Sequence, residues 1–442
     1  MRRLPTIVLF LLPAALPAQT LTWPPTLPGG RAVLSDSSPL LLKPTPTLQK
    51  GVAIAKTPPR VDFLYYPGQS YAAKLWSAWG DNLAVGDFCY SAIGDHDAPQ
   101  GHAFLYEYDA AKKELRQVVD VTKFLGLPPG HYTPGKIHSA LGIDPDGWVY
   151  FSTHRGSTRT TTAANHFKGD WILRYHRSGN KTEVVAHAPL PNQSLPTGWL
   201  DGERMIFYSG TQDGANQKPP SFLAYDVEKR KVLYADDAGP SRALILAKST
   251  GRVYFHRDKG KGGEGKLVRF DPRKPGPPTE LDVTIGLRAA TAETAAGVVY
   301  TAERDGVWAF DTKTEKAEKL GPSAVDGADY ITSIKADPKT ERYLYYVPGA
   351  HGGAERDGSP LVQFDVKTRT RKVIAFLHPF CFEKCGYVAQ GAYGVAVSPE
   401  GDKVYITWNG TRGARKEDLG KKLKWNTCAF VVVHVPLSER TP

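Results

Sequence analysis

The sequence predicts an all-β fold, a seven-bladed β-propeller, and three observations carry that prediction. A phrase returns seven times, each copy closing on a strand that ends in an aromatic residue and an aspartate: YEYD (Tyr106–Asp109), LAYD (Leu223–Asp226), VRFD (Val268–Asp271), WAFD (Trp308–Asp311) and VQFD (Val362–Asp365), with LRYH (Leu173–His176) and VVVH (Val431–His434) as degenerate copies. The preceding strand rhymes as well, as GWVYF (Gly147–Phe151), GRVYF (Gly251–Phe255), GVVY (Gly297–Tyr300) and DKVYI (Asp402–Ile406). Repetition at about 40–50 residues with several strands per copy marks a propeller. Composition agrees: 43 Gly and 35 Pro leave few helical stretches, and 41% hydrophobic residues suffice for a sizeable core.

At the start of the chain, Arg2 and Arg3, the apolar run Ile7–Leu12 and the small residues around Ala15–Ala18 read as a secretory signal over residues 1–18. The apolar run is short and broken by Pro13 and Pro17, so a membrane-spanning helix is not expected. A soluble protein, secreted or periplasmic, is expected instead. Residues 19–75 read as an extended arm rich in Pro and Thr, in which Val61–Tyr66 (VDFLYY) is a strand able to pair with a blade and help close the ring. The propeller then spans 76–437, as units at Trp76–Val121, Lys136–His187, Leu195–Asp236, Pro240–Val283, Leu287–Gly321, Tyr330–Leu377 and Gln390–Leu437, before a tail at 438–442.

The formal net charge is +11, or +9 without Arg2 and Arg3. In an exported protein this suits an acidic polymer as partner, although a solvated basic surface accounts for the charge equally well. No nucleic-acid-binding module is recognisable. No glycine-rich phosphate loop lies between a strand and a helix, so no organic cofactor is expected. A monomer with no membrane partner is expected.

Five insertions, Ser157–Lys168, Gln212–Pro220, Lys259–Lys266, Gly349–Gly358 and Gly410–Asn426, fall between second and third strands. In a ring they emerge on one face, the face on which first strands begin. His138 opens the first strand of unit two and His154 ends its second; the DPDG turn (Asp144–Gly147) makes these strands antiparallel neighbours, so both imidazoles belong at the same channel mouth. Tyr208 of unit three, Arg242 and His256 of unit four, Arg288 of unit five, His96 of unit one and Arg155 are further candidates. Singly, a His or Tyr at a strand end is an ordinary packed residue; convergence is what points to chemistry. Eliminative cleavage of a uronate polymer needs a cation to neutralise the carboxylate, a base for the proton alpha to it, and an acid for the departing oxygen. Histidine works near neutral pH, tyrosine serves once cations lower its pKa, and arginine grips carboxylates bidentately.

The phrases GDFCYSAIGDHDAP…GHAFLYEYD, KIHSALGIDPDGWVYFSTHRG and MIFYSG resemble the seven-bladed propeller polysaccharide lyases, especially the ulvan lyases. The resemblance covers roughly residues 76–437 as scattered short motifs. It implies β-elimination of a uronate-containing, often sulfated polysaccharide, with His138, His154 and Tyr208 as catalytic residues and Arg242 as substrate-binding residue. The alignment of the units adds His96, His256, Arg288 and Arg155 as expected substrate-binding residues. Two other readings stay open, a non-catalytic propeller that binds an anionic glycan and a glycoside hydrolase. The hydrolase needs a pair of carboxylates at the channel, and Asp95, Asp97 and Asp213 have no spacing that marks one.

HPFCFEKC places His378, Cys381 and Cys385 between units six and seven, and Cys428 starts the last third strand. Together they make a Cys3His set suited to a closed, structural zinc site, and the resemblance points the same way. A disulfide from Cys381 or Cys385 to Cys428 is the alternative, with Cys89 left over. Asn180, Asn192 and Asn409 match the N-glycosylation pattern. The basic run Arg412–Lys424 reads as a solvated loop that could help hold a sulfated chain.

Overall fold

Alternation along each strand gives every four-stranded sheet two apolar faces, and the chain buries both by stacking sheets face to face around a ring. The computed structural model describes residues 21–72, 75–96, 101–240, 242–258, 264–350, 359–421 and 423–441. The expected signal lies outside them. Among the described residues, no helix is long and apolar enough to cross a membrane.

Seven sheets follow one another in chain order, antiparallel except where Ala53–Ile54 pairs in parallel with the outer strand of the sixth. Blade 1 runs from Trp76–Ser77 to Glu114–Asp120, blade 2 from Lys136–Ile137 to Lys181–His187, and blade 3 from Gln193–Asp201 to Lys231–Asp237. Blade 4 runs from Ile245–Ala247 to Thr279–Glu280, blade 5 from Ala289–Ala290 to Lys316–Gly321, and blade 6 from Ile334–Ala336 to Thr370–Ala375. Blade 7 uses Tyr387–Val397, Lys403–Arg412 and Thr427–His434, and takes its fourth strand, Arg60–Tyr65, from the beginning of the chain. The fold is thus all-β, a propeller of seven blades.

Packing follows the alternation. On the second strand of blade 2, Val149 and Phe151 face blade 1 while Tyr150 faces blade 3. An apolar cluster of this kind fills the space between each pair of neighbours, including blades 7 and 1. The repeated aspartates are turn formers. Asp109 accepts backbone N–H bonds from Ala111 and Lys112, Asp311 from Lys313 and Thr314, and Asp365 from Lys367 and Thr368, closing the hairpin into the fourth strand. The preceding hairpin needs a left-handed residue, supplied by Gly147 (φ 89°) and Gly251 (φ 76°).

Blade 7 closes the ring through a buried carboxylate. Asp62, wholly buried on Arg60–Tyr65, accepts from His434 Nε2 at 2.7 Å and Lys113 Nζ at 2.8 Å, and from the Ser35 hydroxyl. It joins the third and fourth strands of blade 7 to the outer hairpin of blade 1. The arm is docked along the described part of its length: Leu34–Asp36 adds a strand beside Arg60–Tyr65, Ala53–Ile54 pairs with blade 6, and Leu27, Leu34 and Leu41 enter the core between blades 6 and 7. The tail forms the helical turn Leu437–Arg440, where Glu439 accepts from the backbone of Lys56 and Thr57.

Asn409 is no glycosylation site in this fold. It is wholly buried, and its amide both accepts from Ala78 N at 2.6 Å and donates to Ala78 O at 3.0 Å, bridging blade 7 to blade 1. The basic run carries its own counter-charges, with Arg415 paired to Glu417 and Asp418.

Candidate functional site

First strands begin, and second strands end, at one mouth of the channel. His138, Arg242 and Arg288 each stand nine residues before the turn residue of their own blade, Gly147, Gly251 and Gly297. Equal phase puts them at equal height around the ring, on blades 2, 4 and 5. His154 and Arg155 end the second strand of blade 2, and His96 follows that of blade 1. The close approach of strand ends at this mouth requires glycine: a Cβ on Gly135, next to Lys136, would meet Gly156 Cα at 2.5 Å.

The imidazoles of His138 and His154 lie 5.5 Å apart, centroid to centroid, and nearly perpendicular. His138 Nδ1 is 2.8 Å from the carbonyl oxygen of Pro196 in blade 3. A carbonyl only accepts, so Nδ1 carries the hydrogen and Nε2 keeps its lone pair. Burial and then the charges of Arg242, Lys136 and Arg288 push the His138 pKa well below the usual imidazole value. Burial, Lys136 and Arg155 do the same to His154. Both rings are neutral at neutral pH. His154 is 5% exposed, and its Nδ1 is buried with no hydrogen-bond partner among the described residues. His96 is held neutral in the same way, its pKa pushed down to about 2 by burial and Lys136.

Sequence reasoning missed an aromatic cluster at this mouth, separate from the seven inter-blade cores, made of Trp79, Tyr393, Ala350, Tyr330 and Trp425. Trp79 is its hub. It stacks parallel to His138 at 6.1 Å, packs against His96 at 4.9 Å and Tyr393 at 5.1 Å, and lies under Lys136 Nζ at 4.6 Å. Tyr393 lies 5.6 Å from the His138 ring. Arg288, 8% exposed, donates to the hydroxyls of Tyr330 at 2.7 Å and Tyr393 at 3.1 Å, and among the described residues it has no carboxylate partner. Burial raises the Tyr393 pKa against the opposing pull of Arg288, so the phenol keeps its proton. Arg155, 5% exposed, donates to the backbone oxygen of Asp213 at 3.3 Å. Arg242 is exposed at the rim.

Two of the expected site residues belong elsewhere. Tyr208 is wholly buried in the core between blades 3 and 4, stacked on Phe222, with its hydroxyl bonded to Gly251 O at 3.2 Å. Counted from the turn, it holds the blade position of the core tyrosines Tyr150 and Tyr254, which is why it packs rather than lines the mouth. Tyr208→Phe should leave ligand binding and turnover unchanged and cost about 1 kcal/mol of stability for the lost hydrogen bond, measurable by urea unfolding. His256 places both ring nitrogens 3.0 Å from backbone oxygens, of Gly265 and Ile285, and so ties strands together.

The Cys3His set is not assembled. Cys428 packs between blades 7 and 1 with Tyr66 and Phe430, whereas Cys381 and Cys385, on the helix Leu377–Cys385, pack between blades 6 and 7. Among the described residues no three His, Cys, Asp or Glu side chains form a metal group, and all four cysteines are free and buried. These positions fit neither the expected zinc nor the alternative disulfide. Of the carboxylates considered for a hydrolase, Asp213 caps its own turn through Gln217 N and Lys218 N, Asp95 accepts from Tyr71, and Asp97 lies outside the described residues.

No protein-family model and no curated protein matches this chain. Among solved structures it is similar to a chain of the mitotic checkpoint complex, at 10% identity and a TM-score of 0.47 over 89% of this chain and 95% of that one. It is similar to U3-55K, at 10% identity and TM-score 0.47 over 81% and 95%, and to Sqt1 of Saccharomyces cerevisiae, at 12% identity and TM-score 0.45 over 83% and 98%. None of these likenesses supports the resemblance to the ulvan lyases.

Proposed function

We propose that this mouth binds a carboxylate-bearing glycan outside the cell and cleaves it by β-elimination. One observation carries the reading: Arg288 is buried with two phenols and no carboxylate among the described residues. A buried guanidinium costs several kcal/mol unless an anion pairs with it, and a uronate carboxylate is the bidentate partner its planar fork fits.

The neighbours then have roles. Arg288 and Arg242 neutralise the carboxylate, which acidifies the proton alpha to it. His138 Nε2, its lone pair free because Nδ1–H is bonded to Pro196, takes that proton. The electron pair left behind forms the new double bond as the bond from the beta carbon to the glycosidic oxygen breaks. Tyr393, beside His138 and still protonated, gives the departing oxygen its hydrogen. His154 donates a hydrogen bond to the ligand from the ring nitrogen that carries its proton. Base and acid lie side by side, with ring centroids 5.6 Å apart, which suits removal of proton and leaving group from one face of a sugar.

A second reading, a propeller that holds the same anionic glycan without cleaving it, is favoured by the place of Tyr208 in the blade core, since the resemblance would make that phenol catalytic. Incubation with a panel of uronic-acid polymers separates the two. Unsaturated uronate ends, seen as rising ultraviolet absorbance, are the expected result. Saturable binding without new absorbance selects the second reading, and neither signal with any polymer overturns both.

A further inference from the structure

Behind His154 and Arg155, inside blade 2, lies a carboxylate that the proposed chemistry does not touch. Asp170 is wholly buried. Its Oδ1 accepts from Thr153 Oγ1 at 2.7 Å, and both its oxygens lie 3.0 Å from the Tyr132 hydroxyl. Thr153 Oγ1 in turn accepts from Trp171 N at 3.1 Å, so its own hydrogen is committed to Asp170. No cation stands within ion-pair distance of Asp170 among the described residues; the charge that faces it is Arg155. The other groups around it are Tyr132, the Ser194 hydroxyl and, beyond Trp171, the imidazole of His187 stacked on that indole at 4.3 Å.

We propose that Asp170 is a positioning residue that sets the reach of His154 and Arg155 into the mouth and makes it sensitive to weak acid. Thr153 is the residue before His154, so the bond from Thr153 to Asp170 fixes the end of this strand. An ionised carboxylate is acceptor only and matches the hydroxyl hydrogens pointed at it. Once protonated it brings a donor into a cage of donors and ceases to balance Arg155, so the strand end must shift. Burial pushes the Asp170 pKa up to about 6, against the pull of its hydroxyl partners and Arg155. The change therefore falls in weak acid, where His154, held well below the usual imidazole value, does not itself titrate.

The activity part of this inference rests on the proposed function; the spectroscopic part does not. Asp170→Asn mimics the protonated state at every pH. In imidazole nitrogen NMR spectra of the parent protein, the His154 resonances should move with a midpoint near pH 6, and this inflection should vanish in Asp170→Asn. A flat His154 response in the parent, or the same inflection in the variant, overturns the proposal whatever the protein binds. If uronate polymers are cleaved, the parent should lose activity through the same pH and Asp170→Asn should be roughly 100-fold slower at pH 7.5 without that limb, as misplacement by about an ångström costs. Equal pH profiles in the two proteins also overturn it. A merely structural Asp170 would instead lower stability in the variant and leave both profiles in place. The linkage has its own sign: a carboxyl whose folded pKa is raised contributes most stability in acid and loses it as pH rises through about 6, so the parent should lose stability across that range and Asp170→Asn should lack this dependence.

Discussion

His138→Ala and His138→Gln should form unsaturated uronate ends about 1000-fold more slowly than the parent protein, the scale on which removing a positioned general base acts. The physical ground is the fixed tautomer. Pro196 O takes the Nδ1 hydrogen, Trp79 stacks on the ring, and Nε2 is left basic and neutral. Glutamine tests shape against basicity, since its amide can donate to Pro196 O but has no basic nitrogen. Saturable binding of the same polymers should survive in both variants, because Arg288 and Arg242 remain. Full activity in either one would remove His138 from the chemistry. Stability supplies a separate sign check. An imidazole whose folded pKa lies below its unfolded value of about 6.5 weakens the fold as pH drops below that value, because the unfolded chain takes up the proton first. Both variants lack this term and should hold their stability further into acid than the parent.

Asp62→Ala should be the most destabilising single change outside the site, by about 2–3 kcal/mol, because the hydrogen bonds that Ser35, Lys113 and His434 make to a buried carboxylate are lost, while Lys113 and His434, each 28% exposed, turn to solvent. His434 and Lys113 would each lose their bond, and the loss would fall where blade 7 meets both the start of the chain and blade 1. Urea unfolding should show a lower midpoint. The partners hold the Asp62 carboxyl well below the usual range despite its burial. Its contribution is therefore present above the unfolded carboxylate value of about 3.9 and is lost as pH falls toward the folded value. The parent should accordingly lose that stability in strong acid, and the gap between parent and variant should close there. An Asp62→Ala protein with an unchanged midpoint would mean that the apolar core between blades 7 and 1 closes the ring unaided.

The blades were legible because their signals are local. Turn aspartates, left-handed turn glycines and strand alternation are set within a few residues, and a ring repeats them. His138, His154, Arg242 and Arg288 were legible for a related reason, since their distance from the turn is read directly off the chain. Tyr393 was not. It stands eight residues before Gly401 rather than nine, and a bulge between Ala392 and Gly394 shifts the register there and re-aims the strand. Trp79 was hidden because the first strand of blade 1 is split into Trp76–Ser77 and Leu83–Val85, which removes its alternation. Tyr208 was misplaced because a motif was matched by its letters and not by its count from the turn. The cysteines misled because proximity in sequence says nothing about which inter-blade core a side chain enters.

The borrowed strand Arg60–Tyr65 sets an order of events for a growing chain. It leaves the ribosome early, yet the neighbour it needs, Thr427–His434, comes last. Until then six completed blades make an open arc with two raw edges. Dilution and speed favour joining of those edges within one molecule, while crowding favours a neighbour's strand in the vacant place, so exchanged dimers are the natural by-product of refolding this protein at high concentration.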